Sequence, residues 1–131
     1  MRKGEALKRR LPEPELLGSE NPETLIVSWG SNKGVILDVL KAIEANEANE
    51  ANEARIGYLH YTYLWPLKTE RFKRLAASAK RLVLVECNKQ GQLGMLLKQE
   101  SGIDITHKIL KYDGRPFFYD ELLSKLKKVL P

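Results

Sequence analysis

The segment Val85-Glu86-Cys87-Asn88-Lys89-Gln90-Gly91-Gln92-Leu93 gathers a carboxylate, a thiol and several amides at close spacing. Glu86 and Asn88 stand two apart at the end of an apolar run, and on a strand that spacing points both side chains the same way. The Glu86 carboxylate is placed to accept N–H groups from neighbouring turns. Asn88 is placed to cap a following helix, and Gly91 to let that helix approach the strand closely. The functional alternative has Glu86 or Gln92 touching a cofactor or a partner across the sheet edge. Cys87 is expected as a small buried residue.

Two further turns carry polar or aromatic groups. Gly30-Ser31-Asn32-Lys33-Gly34 sits where a phosphate loop would sit. Its glycines are spaced G-x-x-x-G and not G-x-G-x-x-G, the second strand candidate ends in His60-Tyr61 and not in an acid, and no Ser or Thr follows Lys33 as a Walker loop requires. Ser31 and Lys33 at a helix start could still hold an anion; a tight strand-to-helix turn is the plainer reading. Tyr58-Leu-His-Tyr-Thr-Tyr-Leu-Trp-Pro66 is rich in aromatics. Such rings stack bases when cations alternate with them, or fill core edges and interfaces. No Lys or Arg alternates here, so packing or an interface is expected. His60 and His107 form no metal-spaced pair and no Ser–His–Asp set, and each is expected as a satisfied structural histidine.

The elements that must position these turns are legible. Leu25–Trp29 is a short, nearly continuous apolar run, as in a strand covered on both faces. Ser31 or Asn32 can cap a helix whose Ile36, Val39, Leu40 and Ile43 recur at helical spacing. Residues 55–61 form a second strand candidate. Thr69 is placed to cap a helix carrying Phe72, Leu75, Ala76 and Ala79. Arg81–Glu86 is the clearest strand. A helix over 90–100 has Leu93, Leu96 and Leu97 on one face, with Gly102 placed to end it. Residues 105–112 are a fourth strand candidate, and 120–130 a closing helix. Strand followed by helix, four times over, predicts a three-layer α/β/α domain with a mostly parallel open sheet over residues 24–131. In such sheets sites form beyond the carboxyl ends of the strands, where all three turns fall. Ser31, Lys33, His60, Trp65, Glu86, Asn88, Gly91 and Gln92 are therefore the candidate rim.

Composition narrows the function classes. At 131 residues and 43% hydrophobic the chain fits one domain with a real core. One cysteine excludes an internal disulfide and any zinc or iron–sulfur site built from several cysteines of this chain. No apolar run approaches the ~20 residues that span a bilayer, and the charged Met1-Arg-Lys-Gly-Glu5 does not read as a signal peptide. A cytoplasmic protein without membrane attachment is expected. The net charge of +5 raises the alternative of a small basic nucleic-acid-binding module. Residues 1–10, however, hold Arg2, Lys3, Lys8, Arg9 and Arg10 against Glu5, a net +4, so residues 11–131 carry only +1. Residues 1–23, with Pro12, Pro14, Gly18 and Pro22, read as a basic arm and linker. Residues 44–54 repeat Ala-Asn-Glu three times and read as an insertion, an exposed helical extension or loop.

Four segments in register resemble a known family: Thr24-Leu-Ile-Val-Ser-Trp-Gly-Ser-Asn-Lys-Gly34, Gly57-Tyr-Leu-His-Tyr-Thr-Tyr-Leu-Trp-Pro66, Val85-Glu-Cys-Asn-Lys-Gln-Gly-Gln-Leu93 and Lys111-Tyr-Asp-Gly-Arg-Pro-Phe117. Together with Leu11-Pro-Glu-Pro-Glu-Leu-Leu-Gly18 they are similar to the C-terminal domain of the alpha subunit of 2-oxoacid:ferredoxin oxidoreductases. The Ala-Asn-Glu repeat departs from that pattern. The resemblance implies a fold like the C-terminal domain of transketolase. It also implies a parent complex that oxidatively decarboxylates 2-oxoacids with coenzyme A and passes electrons to ferredoxin. Thiamine diphosphate, magnesium and the iron–sulfur cluster are expected on the N-terminal portion of the alpha subunit, the beta subunit or elsewhere in that complex. This chain lacks a Gly-Asp-Gly motif followed by Asn, so no cofactor and no catalytic residue is expected in it. Its implied partners are those other portions, with ferredoxin only indirectly. A free-standing anion or nucleotide binder at Gly30–Gly34 is the remaining alternative.

Overall fold

The computed structural model describes residues 12–47, 55–64, 67–87, 91–111, 115 and 117–130. Its elements are β1 (Glu15–Gly18), β2 (Thr24–Trp29), a 3-10 turn (Gly30–Asn32), α1 (Lys33–Glu47), β3 (Ile56–Tyr61), α2 (Glu70–Ser78), β4 (Arg81–Glu86), α3 (Gln92–Ser101), β5 (His107–Leu110) and α4 (Tyr119–Val129). The strands form one sheet in the order β1-β3-β2-β4-β5. β2, β3, β4 and β5 run parallel, and β1 pairs antiparallel with β3, Glu15 opposite His60 and Gly18 opposite Gly57.

Alternate residues of each strand feed two cores. Ile26, Tyr58, Val83 and Val85 meet Ile36 and Val39 of α1 and Leu122 and Leu126 of α4 on one face. Leu25, Val27, Leu59 and Leu84 meet Phe72 and Leu75 of α2 and Leu93 and Leu97 of α3 on the other. This is the expected three-layer arrangement. From β2 the chain crosses through α1 to β3, then back through α2 to β4 on the far side of β2. Crossovers of one hand that run in opposite directions must use opposite faces, so the β2–β4 boundary is the point where strand order reverses.

The observed elements differ from the sequence reading in three places. Residues 15–18, read as linker, form an edge strand, because pairing with β3 satisfies their backbone although they lack an alternating pattern of their own. The strand expected over 105–112 is ordered as such only at His107–Leu110; Ile105 is buried ahead of it. Thr69 occupies the first-cap position of α2, but its side chain makes no capping hydrogen bond. α1 runs on to Glu47, so the first unit of the Ala-Asn-Glu repeat is helical, one of the two readings given for it. Residues 1–11, 48–54, Trp65, Asn88 and Tyr112–Gly114 lie outside the described residues.

Candidate functional site

Two hydrogen-bonded chains of side chains cross the boundary between β2 and β4 at their carboxyl ends. In the first, Glu86 is 1% exposed. Its Oε1 accepts the Trp29 indole Nε1–H at 2.7 Å and the Leu93 N–H at 2.9 Å, and Oε2 lies 3.2 Å from the same Leu93 N. Leu93 is in the first turn of α3, where free N–H groups and the positive helix end favour an anion. Burial raises the Glu86 pKa, and the bonds from Leu93 and Trp29 pull it back down. In the second chain, the Ser28 hydroxyl donates to the Val85 carbonyl at 2.6 Å. Asn32 Nδ2 donates to Ser28 Oγ at 3.3 Å, and the Cys87 thiol donates to Asn32 Oδ1 at 3.2 Å. What remains open is a recess of about 240 Å³ lined by Trp29, Gly30, Ser31, Asn32, Glu86 and Cys87.

The site is therefore a lock more than a receptor. The carboxylate is bonded to an indole and to a helix end. Ser31 is exposed, and so is Cys87, against the expectation that it would be buried: its thiol projects from the strand end toward Asn32. Among the described residues no group of three His, Cys, Asp or Glu side chains could hold a metal ion.

The other predicted residues are dispersed along the same edge. Lys33 opens α1, but its ammonium pairs with Glu15 of β1 at 2.6 Å and so faces β1 and not the glycine turn. That bond holds the Glu15 carboxyl below its ordinary range. His60 is buried, and its Nδ1 lies 2.6 Å from the Tyr58 hydroxyl, the satisfied arrangement expected for it. Burial first, and the Lys33 ammonium second, lower the His60 pKa, with Glu15 partly opposing. Gly91 is buried just ahead of α3 with φ +62°, a backbone that favours glycine. The close helix–strand approach expected at Gly91 occurs at Gly94, where a Cβ would lie 2.8 Å from Leu84 Cδ2. Gln92 is exposed at the start of α3. Trp65 and Asn88 are outside the described residues.

Sequence reasoning missed the partners more than the positions. Trp29 and Glu86 are 57 residues apart, and only the parallel pairing of β2 with β4 brings them together. It also missed Lys111, which follows β5. Its ammonium is buried, pairs with Glu121 at 2.7 Å and lies 4.7 Å from the Phe118 ring centroid. The aromatic turn divides: Tyr58 and Tyr61 are core, and Tyr63 is exposed.

Comparison with known proteins places this geometry among relatives. No protein-family model matches the chain. A 2-oxoacid:ferredoxin oxidoreductase alpha subunit of Sulfurisphaera tokodaii is 32% identical over 99% of this chain, which spans only about one fifth of that relative's length. Among solved structures, the alpha chain of a probable 2-oxoacid ferredoxin oxidoreductase from Thermoplasma acidophilum is 36% identical. The match covers 89% of this chain and 96% of that one, with a TM-score of 0.52. The fold matches part of the 2-oxoglutarate:ferredoxin oxidoreductase of Magnetococcus marinus with a TM-score of 0.81 at 22% identity, over 95% of this chain and 21% of that one. That protein was solved with 2-oxoglutarate, coenzyme A and succinyl-CoA bound.

Proposed function

The chain belongs to the family of 2-oxoacid:ferredoxin oxidoreductase alpha subunits, and from that premise we propose that it is the accessory C-terminal domain of such a subunit. In this reading it organises domain and subunit interfaces of a cytoplasmic complex that oxidatively decarboxylates 2-oxoacids to acyl-CoA. Its partners are the N-terminal portion of the alpha subunit and the beta subunit, with ferredoxin downstream. Thiamine diphosphate, magnesium, the iron–sulfur cluster and coenzyme A belong to those other portions.

One observation carries this reading. The polar side chains lining the crevice where a doubly wound sheet holds its ligand are already bonded to one another or to the backbone: Glu86 to Trp29 and Leu93, and Asn32 to Ser28 and Cys87. The described residues fit neither an iron–sulfur cluster nor a diphosphate-bound magnesium. An iron–sulfur cluster takes several thiolates, and the sequence has Cys87 alone. A diphosphate-bound magnesium takes free oxygen ligands, and Glu86 Oε1, Asn32 Oδ1 and Ser28 Oγ already accept hydrogen bonds. A domain whose strand ends are self-satisfied still presents a rigid rim, and a rim is what an interface needs.

The test is reconstitution. The folded 131-residue chain, mixed with the remaining alpha and beta portions of the oxidoreductase, is expected to co-elute with them in size-exclusion chromatography. Alone, it is expected to show no thermal shift with millimolar thiamine diphosphate and magnesium, conditions that would stabilise a binder measurably. A folded sample that stays separate, or that is stabilised alone, contradicts the proposal.

A further inference from the structure

β1 is held unlike the other strands. Glu15 and Gly18 are exposed and Leu16 and Leu17 half-buried, whereas every residue of β3, on which β1 lies, is buried. Of residues 12–18 only Pro14 is buried. The two ends of this segment are also fixed in different ways. After β1, the Ser19 N–H donates to the Ile56 carbonyl at 3.0 Å, the Asn21 N–H donates to Ser19 Oγ at 3.2 Å, and Pro22 is buried over Gly57. At its start the hold comes from side chains. Arg71 Nη1 of α2 donates to the Pro14 carbonyl at 2.7 Å, the Lys68 ammonium lies 3.7 Å from Glu13 Oε1, and Lys33 pairs with Glu15 at 2.6 Å.

The start of the segment also carries a cost when closed. Glu13 Oε2 is buried without a hydrogen-bond partner, the one such side-chain atom among the described residues. A carboxylate oxygen shut away from water is unfavourable until water returns to it. A recess of about 30 Å³ separates residues 12–14 from Tyr61, Thr62 and Tyr63, so the segment is not packed tightly onto the end of β3. Both ion pairs are partly exposed, where each contributes little. The strongest single contact is the charge-assisted bond from Arg71 to the Pro14 carbonyl.

We propose that residues 12–18 are a latched strap, which opens as a unit about Ser19–Pro22 while the other four strands stay paired. Arg71 is the latch. The rest of the sheet does not depend on the strap. β2 pairs with β3 along its whole length, from Thr24 opposite Ile56 to Trp29 opposite Tyr61, and β4 follows on the far side. Segments with few buried apolar side chains open locally, without global unfolding. Closed, the strap covers the edge of β3 and fixes where the residues ahead of it leave the domain. Open, it frees them and leaves a row of unpaired backbone groups along β3.

Native-state hydrogen exchange of the 131-residue chain, read by NMR, tests the strap. The β1 amides paired with β3 are expected to exchange at least a hundredfold faster than those of β2, through an opening that leaves β2 protected. Arg71→Ala is expected to speed β1 exchange roughly tenfold, the scale of one lost hydrogen bond to a charged group, and to leave β2 within about twofold. Arg74→Ala, an exposed arginine one turn further along α2, is expected to leave both strands within about twofold. Exchange of β1 and β2 at one rate would mean that the strap opens only with the whole fold, and overturns the proposal. Fast β1 exchange that Arg71→Ala does not change overturns the latch. Equal acceleration of β1 and β2 in Arg71→Ala overturns it as well, because the bond would then support the whole fold.

Discussion

Glu86→Ala is expected to lower the free energy of unfolding by about 3 kcal/mol, read from urea denaturation at pH 7. The substitution leaves the buried Leu93 amide and the half-buried Trp29 indole N–H without an acceptor, at roughly 1–3 kcal/mol for a buried orphaned donor and less for one that water reaches. The cost is partly offset because a carboxylate taken out of water no longer has to be held there. Glu86→Gln keeps an oxygen able to accept both bonds and is expected to stay within about 1 kcal/mol of the original. The two also separate with pH. Burial raises the Glu86 pKa in the folded chain above its ordinary value near 4.5, so between those two values the folded state binds the proton that the unfolded state releases. The stability this group contributes is complete below about pH 4.5 and is lost as pH rises through the folded value. The unsubstituted chain should therefore gain on Glu86→Gln as pH falls from 7 through the raised folded value toward 4.5. Equal pH dependence of the two, or an alanine variant as stable as the original, would refute the lock.

Gly57→Ala is expected to cost about 2 kcal/mol and to lower the melting temperature by roughly 8 °C. Gly57 lies in β3 beneath the link between β1 and β2. A Cβ there would lie 2.9 Å from Pro22 Cβ, 2.9 Å from Pro22 Cγ and 2.9 Å from the Ser19 carbonyl oxygen. A proline ring and a backbone carbonyl cannot rotate aside as a flexible side chain can, so the strain falls on the Ser19–Pro22 link. That link is tied to β3 by the Ser19 N–H on the Ile56 carbonyl at 3.0 Å. Differential scanning calorimetry reads the effect, and an unchanged melting temperature would mean that the link moves freely over β3. The consequence reaches the rim, because β1 supplies Glu15, the partner of Lys33.

Which of these features the sequence displays follows from the range of the interactions that create them. β4 is legible to the residue because Leu82-Val83-Leu84-Val85 must be covered on both faces whatever lies next to it. The end of α3 is equally legible, since Gly102 adopts φ +78° and its N–H closes on the Lys98 carbonyl. β1 is hidden: Glu15-Leu-Leu-Gly18 between prolines has no strand period, and its pairing with β3 is supplied by residues some forty positions away. The same holds at the candidate site. Glu86 stands out as a carboxylate closing an apolar run. That its partners are Trp29 and Leu93, and that Cys87 turns outward to Asn32, depends on the register of β2 against β4. Phe118 gives no local sign at all, because its neighbour Phe117 is core and only the fold decides which of two adjacent rings faces water.

The central claim, that the carboxyl-end rim is covered by neighbouring polypeptide while the chemistry lies elsewhere, is open to a single chemical measurement. Cys87 is the only cysteine of the chain, and it is exposed on that rim. Its alkylation by iodoacetamide, followed by mass spectrometry of the Cys87 peptide, is expected to be fast in the isolated chain and at least tenfold slower in the assembled oxidoreductase. An equal rate in both states would leave this edge facing water in the complex and would contradict the account.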